Sequence, residues 1–258
     1  MNGKPHRLVF FLARLLSLLL VALPMRVFAG LPAPVAPGVT EAMGLWTQVV
    51  REGDLSPIDD SLTHVRLWME GQGRFSDANQ THHLNWYQGL LRTALGYAIT
   101  DRLTVWAGYT YLPTGNSNRK IIGEQAAWPA IRYLVQTSMG TLMLQEMLEL
   151  RFVKGDTPGV RTRTMAKFLH SFEFEPSLGF VLWDEVFFNA NNVVNNPLYG
   201  LSGFNQNRAF AGLSWTFNEN TRLEFGYMNL MLNKSRPNLS YSAYGSLNTL
   251  SLSLFMGW

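Results

Sequence analysis

The sequence predicts an all-β fold, an antiparallel transmembrane β-barrel of about 10 to 12 strands preceded by a cleavable signal peptide. Three observations carry this: an N-terminal stretch with the anatomy of an export signal, long segments that alternate at period two, and a composition short of charge. Charged residues make up 15% of the 258, against about 25% in soluble domains, while 8 Trp, 9 Tyr and 16 Phe form a rich aromatic set. A wholly water-facing surface would be starved of charge.

Residues 1–29 read as the signal peptide. Lys4 and Arg7 precede an apolar run from Leu8 to Leu23, and Val27-Phe28-Ala29 offers small residues at the cleavage-specificity positions, so cleavage is expected after Ala29. A permanent membrane helix needs about 20 apolar residues, whereas Arg14 interrupts this run and Pro24 follows it. Removal of Lys4, Arg7, Arg14 and Arg26 changes 21 basic residues against 18 acidic into 17 against 18. The apparent basicity disappears, and with it the hint of a nucleic-acid partner. Absence of cysteine excludes disulfides, thiolate metal sites and cysteine nucleophiles. Residues 30–43, with Pro32, Pro34 and Pro37, read as a flexible leader, and 44–258 as one barrel domain with no later run of about 18 apolar residues.

Leu45 to Glu52 is the first strand-like segment. Val65, Leu67 and Met69 then oppose Arg66, Trp68, Glu70, Gln72 and Arg74, and Leu103 to Tyr111 repeats the alternation against Arg102, Thr104, Trp106, Gly108 and Thr110. Ala209 to Phe217, Leu223 to Tyr227 and Leu250 to Trp258 continue it. A soluble sandwich shows the same alternation, but its strands average 5 or 6 residues, and these run to roughly 10 to 14, with aromatics near their ends. Tight turns are expected at Ile99-Thr100-Asp101, Ser138-Met139-Gly140, Glu175-Pro176-Ser177 and Asn218-Glu219-Asn220. Longer loops are expected near 113–122, 154–159, 190–203 and 233–246, with a shorter one near 76–81. From Leu62 this gives ten strands; Leu45 to Glu52 would make eleven, where bacterial barrels are normally even. Either that segment enters the lumen or pairs at the seam beside ten wall strands, or a hidden strand makes twelve.

The chain resembles a family of uncharacterised proteobacterial outer-membrane barrels grouped as a domain of unknown function. The matching residues are Leu45-Trp46-Thr47-Gln48, the strands holding Gly96-Tyr97 and Trp106 to Tyr109, Glu149 to Phe152, Asp184-Glu185-Val186-Phe187-Phe188-Asn189, Phe204-Asn205-Gln206-Asn207-Arg208 and Leu250 to Trp258. The resemblance implies fold and location, the outer membrane of a Gram-negative bacterium, and carries no catalytic residue.

Register places Arg66, Glu70, Arg74, Arg92, Glu149, Arg151, Arg161, Arg163, Lys167, Glu173, Glu185, Arg208, Arg222 and Glu224 in the lumen. In so narrow a barrel these would form an ion-pair network, or their arginine excess would hold a small anion or lipid phosphate. Asp184 and Glu185 are adjacent, so a regular strand turns one carboxylate toward lipid; Glu146 poses the same problem. Leu254, Met256 and Trp258 are similar to the C-terminal signal by which barrels reach the assembly machinery, with periplasmic chaperones as partners on the way. A lipid hydrolase of the phospholipase or lipid A deacylase type would need Ser and His converging at the rim. His64 reads as lumenal, His82-His83 as a loop, and His170-Ser171 as pointing to opposite faces. Metal and cofactor motifs are absent, so no cofactor is expected. A small barrel needs no partner to close its edges, so the expectation is a monomer among outer-membrane lipids, without enzyme activity, serving structural or interaction roles or narrow solute passage.

Overall fold

The computed structural model describes residues 41–77, 84–115, 121–192, 202–233 and 244–257; Ala29 and Trp258 lie outside them. Eleven strands follow in chain order: β1 (Glu41–Asp54), β2 (Val65–Ser76), β3 (Asn85–Ala98), β4 (Leu103–Gly115), β5 (Ile121–Thr137), β6 (Gly140–Val153), β7 (Gly159–Phe172), β8 (Glu175–Asn189), β9 (Gly203–Asn218), β10 (Thr221–Asn233) and β11 (Tyr244–Met256). They close into one barrel. No helix among the described residues is long and apolar enough to cross a membrane.

The strand number falls between the two even counts. Leu45 to Glu52 lies inside β1, which starts at Glu41 within the stretch read as a leader. β1 pairs antiparallel with β2 and parallel with β11, from Glu41↔Ser246 to Arg51↔Met256. A ring of antiparallel neighbours must be even; one parallel seam lifts that requirement. On the lumenal side Gln48 fastens the seam, donating through Nε2 to Glu70 Oε1 (2.9 Å) and accepting at Oε1 from Ser253 Oγ (3.0 Å).

At one rim the connections are short: 99–102, 138–139, 173–174 and 219–220, with a longer one at 55–64. This is the turn end; the opposite rim is the loop end. Gly140 (φ 142) supplies the left-handed residue that closes the 138–139 turn. The turn expected at Glu175-Pro176-Ser177 instead falls at 173–174, because the β7 ladder jumps from Phe172↔Glu175 to Ser171↔Gly179 and leaves Pro176 unpaired in an irregularity. In the 55–64 connection the Ser61 N–H donates to Asp59 Oδ1 (2.8 Å), capping a short 3-10 helix, and hydrogen bonding from Ser61 holds this carboxyl below the ordinary aspartate range.

Period-two alternation sorts the side chains. On β3, Leu90, Arg92, Ala94 and Ala98 are buried while Leu91, Leu95 and Tyr97 are exposed. The outer surface repeats this on every strand but β7, with Val49, Met69, Val105, Tyr109, Ile131, Tyr133, Leu144, Leu148, Leu182, Leu213, Phe225 and Leu252 all exposed, whereas β7 turns Thr162, Thr164 and Ala166 outward. The lumen is less purely polar than the sequence implies. Trp68, Trp106, Trp128 and Met147 form an apolar cluster inside it, and Trp46, Val181, Phe210, Met228, Leu230 and Leu247 form a second. Glycine makes room for the indoles: Trp106 lies opposite Gly96, and Trp128 opposite Gly108, where an added Cβ would collide with the ring.

Candidate functional site

The strands that alternate most regularly deliver charged side chains to one layer across the lumen. Arg74, Arg92, Arg151, Arg161, Arg163 and Arg208 meet Glu70, Glu124, Glu149 and Glu185 there, all buried. Glu149 receives Arg161 (2.6 Å) and Arg163 (2.8 Å); Glu185 receives Arg163 (2.6 Å) and Arg208 (3.2 Å). Arg92 pairs with Glu70 (3.1 Å), and Arg151 holds both oxygens of Glu124 (2.5 and 3.0 Å). Arg163 thereby bridges two carboxylates, tying β6 to β8 through β7. The guanidiniums of Arg161, Arg163 and Arg208 lie 4.9, 4.8 and 4.5 Å from the Phe187 ring, whose quadrupole favours a nearby cation.

Arg74 differs from its neighbours. Its Nε and Nη2 donate to Gln72 Oε1 (2.9 and 2.6 Å), Nη1 donates to Gln88 Oε1, and the guanidinium stacks 4.0 Å from Trp46. No carboxylate of the described residues forms an ion pair with it.

Toward the turn end, Arg132 on β5 reaches across the lumen to both oxygens of Glu52 on β1 (2.8 and 2.7 Å), and Lys167 and Arg222 share Glu224 (2.7 and 3.1 Å). Register reasoning did not place Glu52, Glu124 or Arg132. The signal was present on β5, where Glu124, Ala126, Trp128, Ala130 and Arg132 occupy one period-two face, but Pro129 and a run of alanines obscure it. Of the predicted lumenal set, Glu173 stands in the 173–174 turn. Arg66 shares the inward face of β2 with Trp68 and Glu70 and lies half-buried near the turn end, beside Asp54 in register. The others reach the lumen.

The layer lies between two cavities, of about 510 Å³ toward the turn end and about 430 Å³ toward the loop end, with Trp46, Arg92, Arg163 and Arg208 lining both. Six arginines and two glutamates, Glu124 and Glu149, line the loop-end cavity.

On the outer face, β8 keeps a regular register at Asp184, so its carboxylate turns outward, where Asn207 Nδ2 donates to both oxygens (3.0 and 2.9 Å). Glu146 also faces outward and accepts from Thr164 Oγ1 (2.5 Å). His64 stands at the turn end rather than in the lumen, its Nδ1 3.1 Å from the Ala98 carbonyl and its ring beside Tyr97. His170 contacts the Met139 carbonyl, Phe172 and Phe180, so the hydrogen bonds among the described residues join no Ser to a His. His82 and His83 lie outside the described residues. No group of three or more metal-ligating side chains occurs among the described residues.

A family described as a protein of unknown function, DUF2490, matches residues 43–241. The chain belongs to the DUF2490 family. The DUF2490 span takes in the 184–189 and 204–208 blocks and the whole arginine layer, and stops before Leu250. No curated protein matches the chain, and no solved structure does.

Proposed function

We propose that this DUF2490 chain is an outer-membrane β-barrel of a Gram-negative bacterium, monomeric among the membrane lipids, whose lumen is barred and whose role is structural or interactive rather than free diffusion. The observation that carries the reading is the inversion of the usual pattern: large apolar side chains are exposed on ten of the eleven strands, β7 being the exception, while the arginines and their carboxylates are buried inside. Strands of 12 to 17 residues exceed the 9–11 or so that cross a bilayer at the usual tilt. Residues 1–29 supply export, and Leu254, Met256 and Trp258 supply the signal read by the assembly machinery, after periplasmic chaperones.

Narrow solute passage is the second reading, favoured by the two cavities sharing one layer. The purified protein should migrate differently with and without boiling and give no steady conductance in planar bilayers. Steady channels would replace the barred lumen with the passage reading; a water-soluble product without a heat shift would overturn the barrel in the membrane. Glu146→Leu sharpens the test. Removing an outward carboxylate should stabilise the protein in bilayers by about 1–2 kcal/mol, measured by urea titration, and a loss of stability would argue against lipid at that face.

A further inference from the structure

We infer that the loop-end cavity is a binding site for a small amphiphilic oxyanion, one phosphate or carboxylate head on a short hydrocarbon body, with Arg74 as its principal contact. Charge is the first argument. Four glutamates serve the six arginines of the layer, and the loop-end side of that layer presents six arginines against Glu124 and Glu149. Those two are already engaged by Arg151, Arg161 and Arg163. Glu70, on the same strand as Arg74, is committed to Arg92 and Gln48. Arg74 is 3% exposed, and its direct partners are two amides and an indole face, with Glu70 reaching it only through Gln72; a buried cation without a carboxylate in direct contact favours an added counter-charge.

The second argument is preorganisation. Stacking on Trp46, the paired hydrogen bonds to Gln72 and the bond to Gln88 fix the plane of the Arg74 guanidinium, and Arg208 lies 4.9 Å from the same indole. Two guanidiniums on one ring suit an oxyanion with several acceptor oxygens. The third argument is the wall above them. Leu90, Leu112, Leu230, Leu232 and Leu247 line the same cavity, so an ion with only water for company would leave an apolar surface unused. A volume of about 430 Å³ falls in the range of small-ligand sites.

This inference rests on the reading of the lumen as barred, so that the ligand enters from the loop end and stays. Protein folded into zwitterionic-lipid nanodiscs is titrated calorimetrically with hexyl phosphate, inorganic phosphate and hexanol, against empty nanodiscs. Hexyl phosphate should bind, inorganic phosphate more weakly, and hexanol not at all. Arg74→Met should weaken hexyl phosphate about ten- to hundredfold, the loss of a charge-assisted pair, while retaining the heat-shifted folded band. Arg132→Met, at the turn end, should bind like the parent chain. Leu232→Trp, which fills the apolar wall without touching a charge, should also weaken binding and covers the case in which the Arg74 variant does not fold. Equal affinity for inorganic phosphate, equal affinity for hexanol, no binding of hexyl phosphate, or parental affinity in a folded Arg74→Met would each overturn the proposal. Channel conductance would overturn the barred lumen alone, leaving the calorimetric result to decide the site.

Discussion

The two ends of the lumen treat charge differently. At the turn end the wall supplies carboxylates for its cations: Glu52 for Arg132, and Glu224 for Lys167 and Arg222. At the loop end the wall supplies more arginine than carboxylate and surrounds it with leucine. A buried ion pair contributes little net stability compared with an apolar pair of the same shape, but a buried charge deprived of its partner costs several kcal/mol. The turn end therefore resembles a closed structural device, and the loop end one whose charge balance is left to another molecule.

The largest test lies in the layer between the ends. Glu149→Gln leaves Arg161 without its carboxylate and Arg163 with only Glu185, and is expected to cost about 3–5 kcal/mol in urea titrations of the heat-shifted band. A cost below about 1 kcal/mol would mean that water already screens the layer, and the contrast between the ends would collapse. Lys167→Met at the turn end should cost about 2 kcal/mol, since Glu224 keeps Arg222 but loses its shorter contact. Arg132→Met should cost less than about 1 kcal/mol, because the Glu52 side chain it pairs with is 33% exposed. Should Arg132→Met prove as costly as Glu149→Gln, the trans-lumenal tie would be the principal structural link and the turn end the more critical half.

Much of this arrangement was legible in the sequence. Period two sufficed to send Glu70, Arg74, Arg92, Glu149, Arg151, Arg161, Arg163, Glu185 and Arg208 inward, because a strand that keeps its register has no freedom to do otherwise. Glu173 failed for the complementary reason: Pro176 mimics a turn but occupies an unpaired position in β8, which moves the true turn two residues earlier. Direction is not written in alternation. A parallel and an antiparallel neighbour bury the same face, so nothing in Leu45 to Glu52 distinguished a wall strand at a parallel seam from a lumenal segment. The absence of a carboxylate for Arg74 was equally hidden, since it depends on which neighbours already hold Glu70, Glu149 and Glu185.

The parallel seam also governs how the barrel can be re-threaded. In an even barrel the first strand begins where the last one ends, and a circular permutant needs only a tight turn to join them. Here β1 begins at the loop end beside Ser246, while β11 finishes at the turn end beside Arg51. A linker from Met256 to Glu41 would have to climb the full height of the wall, about 35 Å at strand rise for the eleven paired residues, so permutants closed by short linkers should fail where those of even barrels succeed.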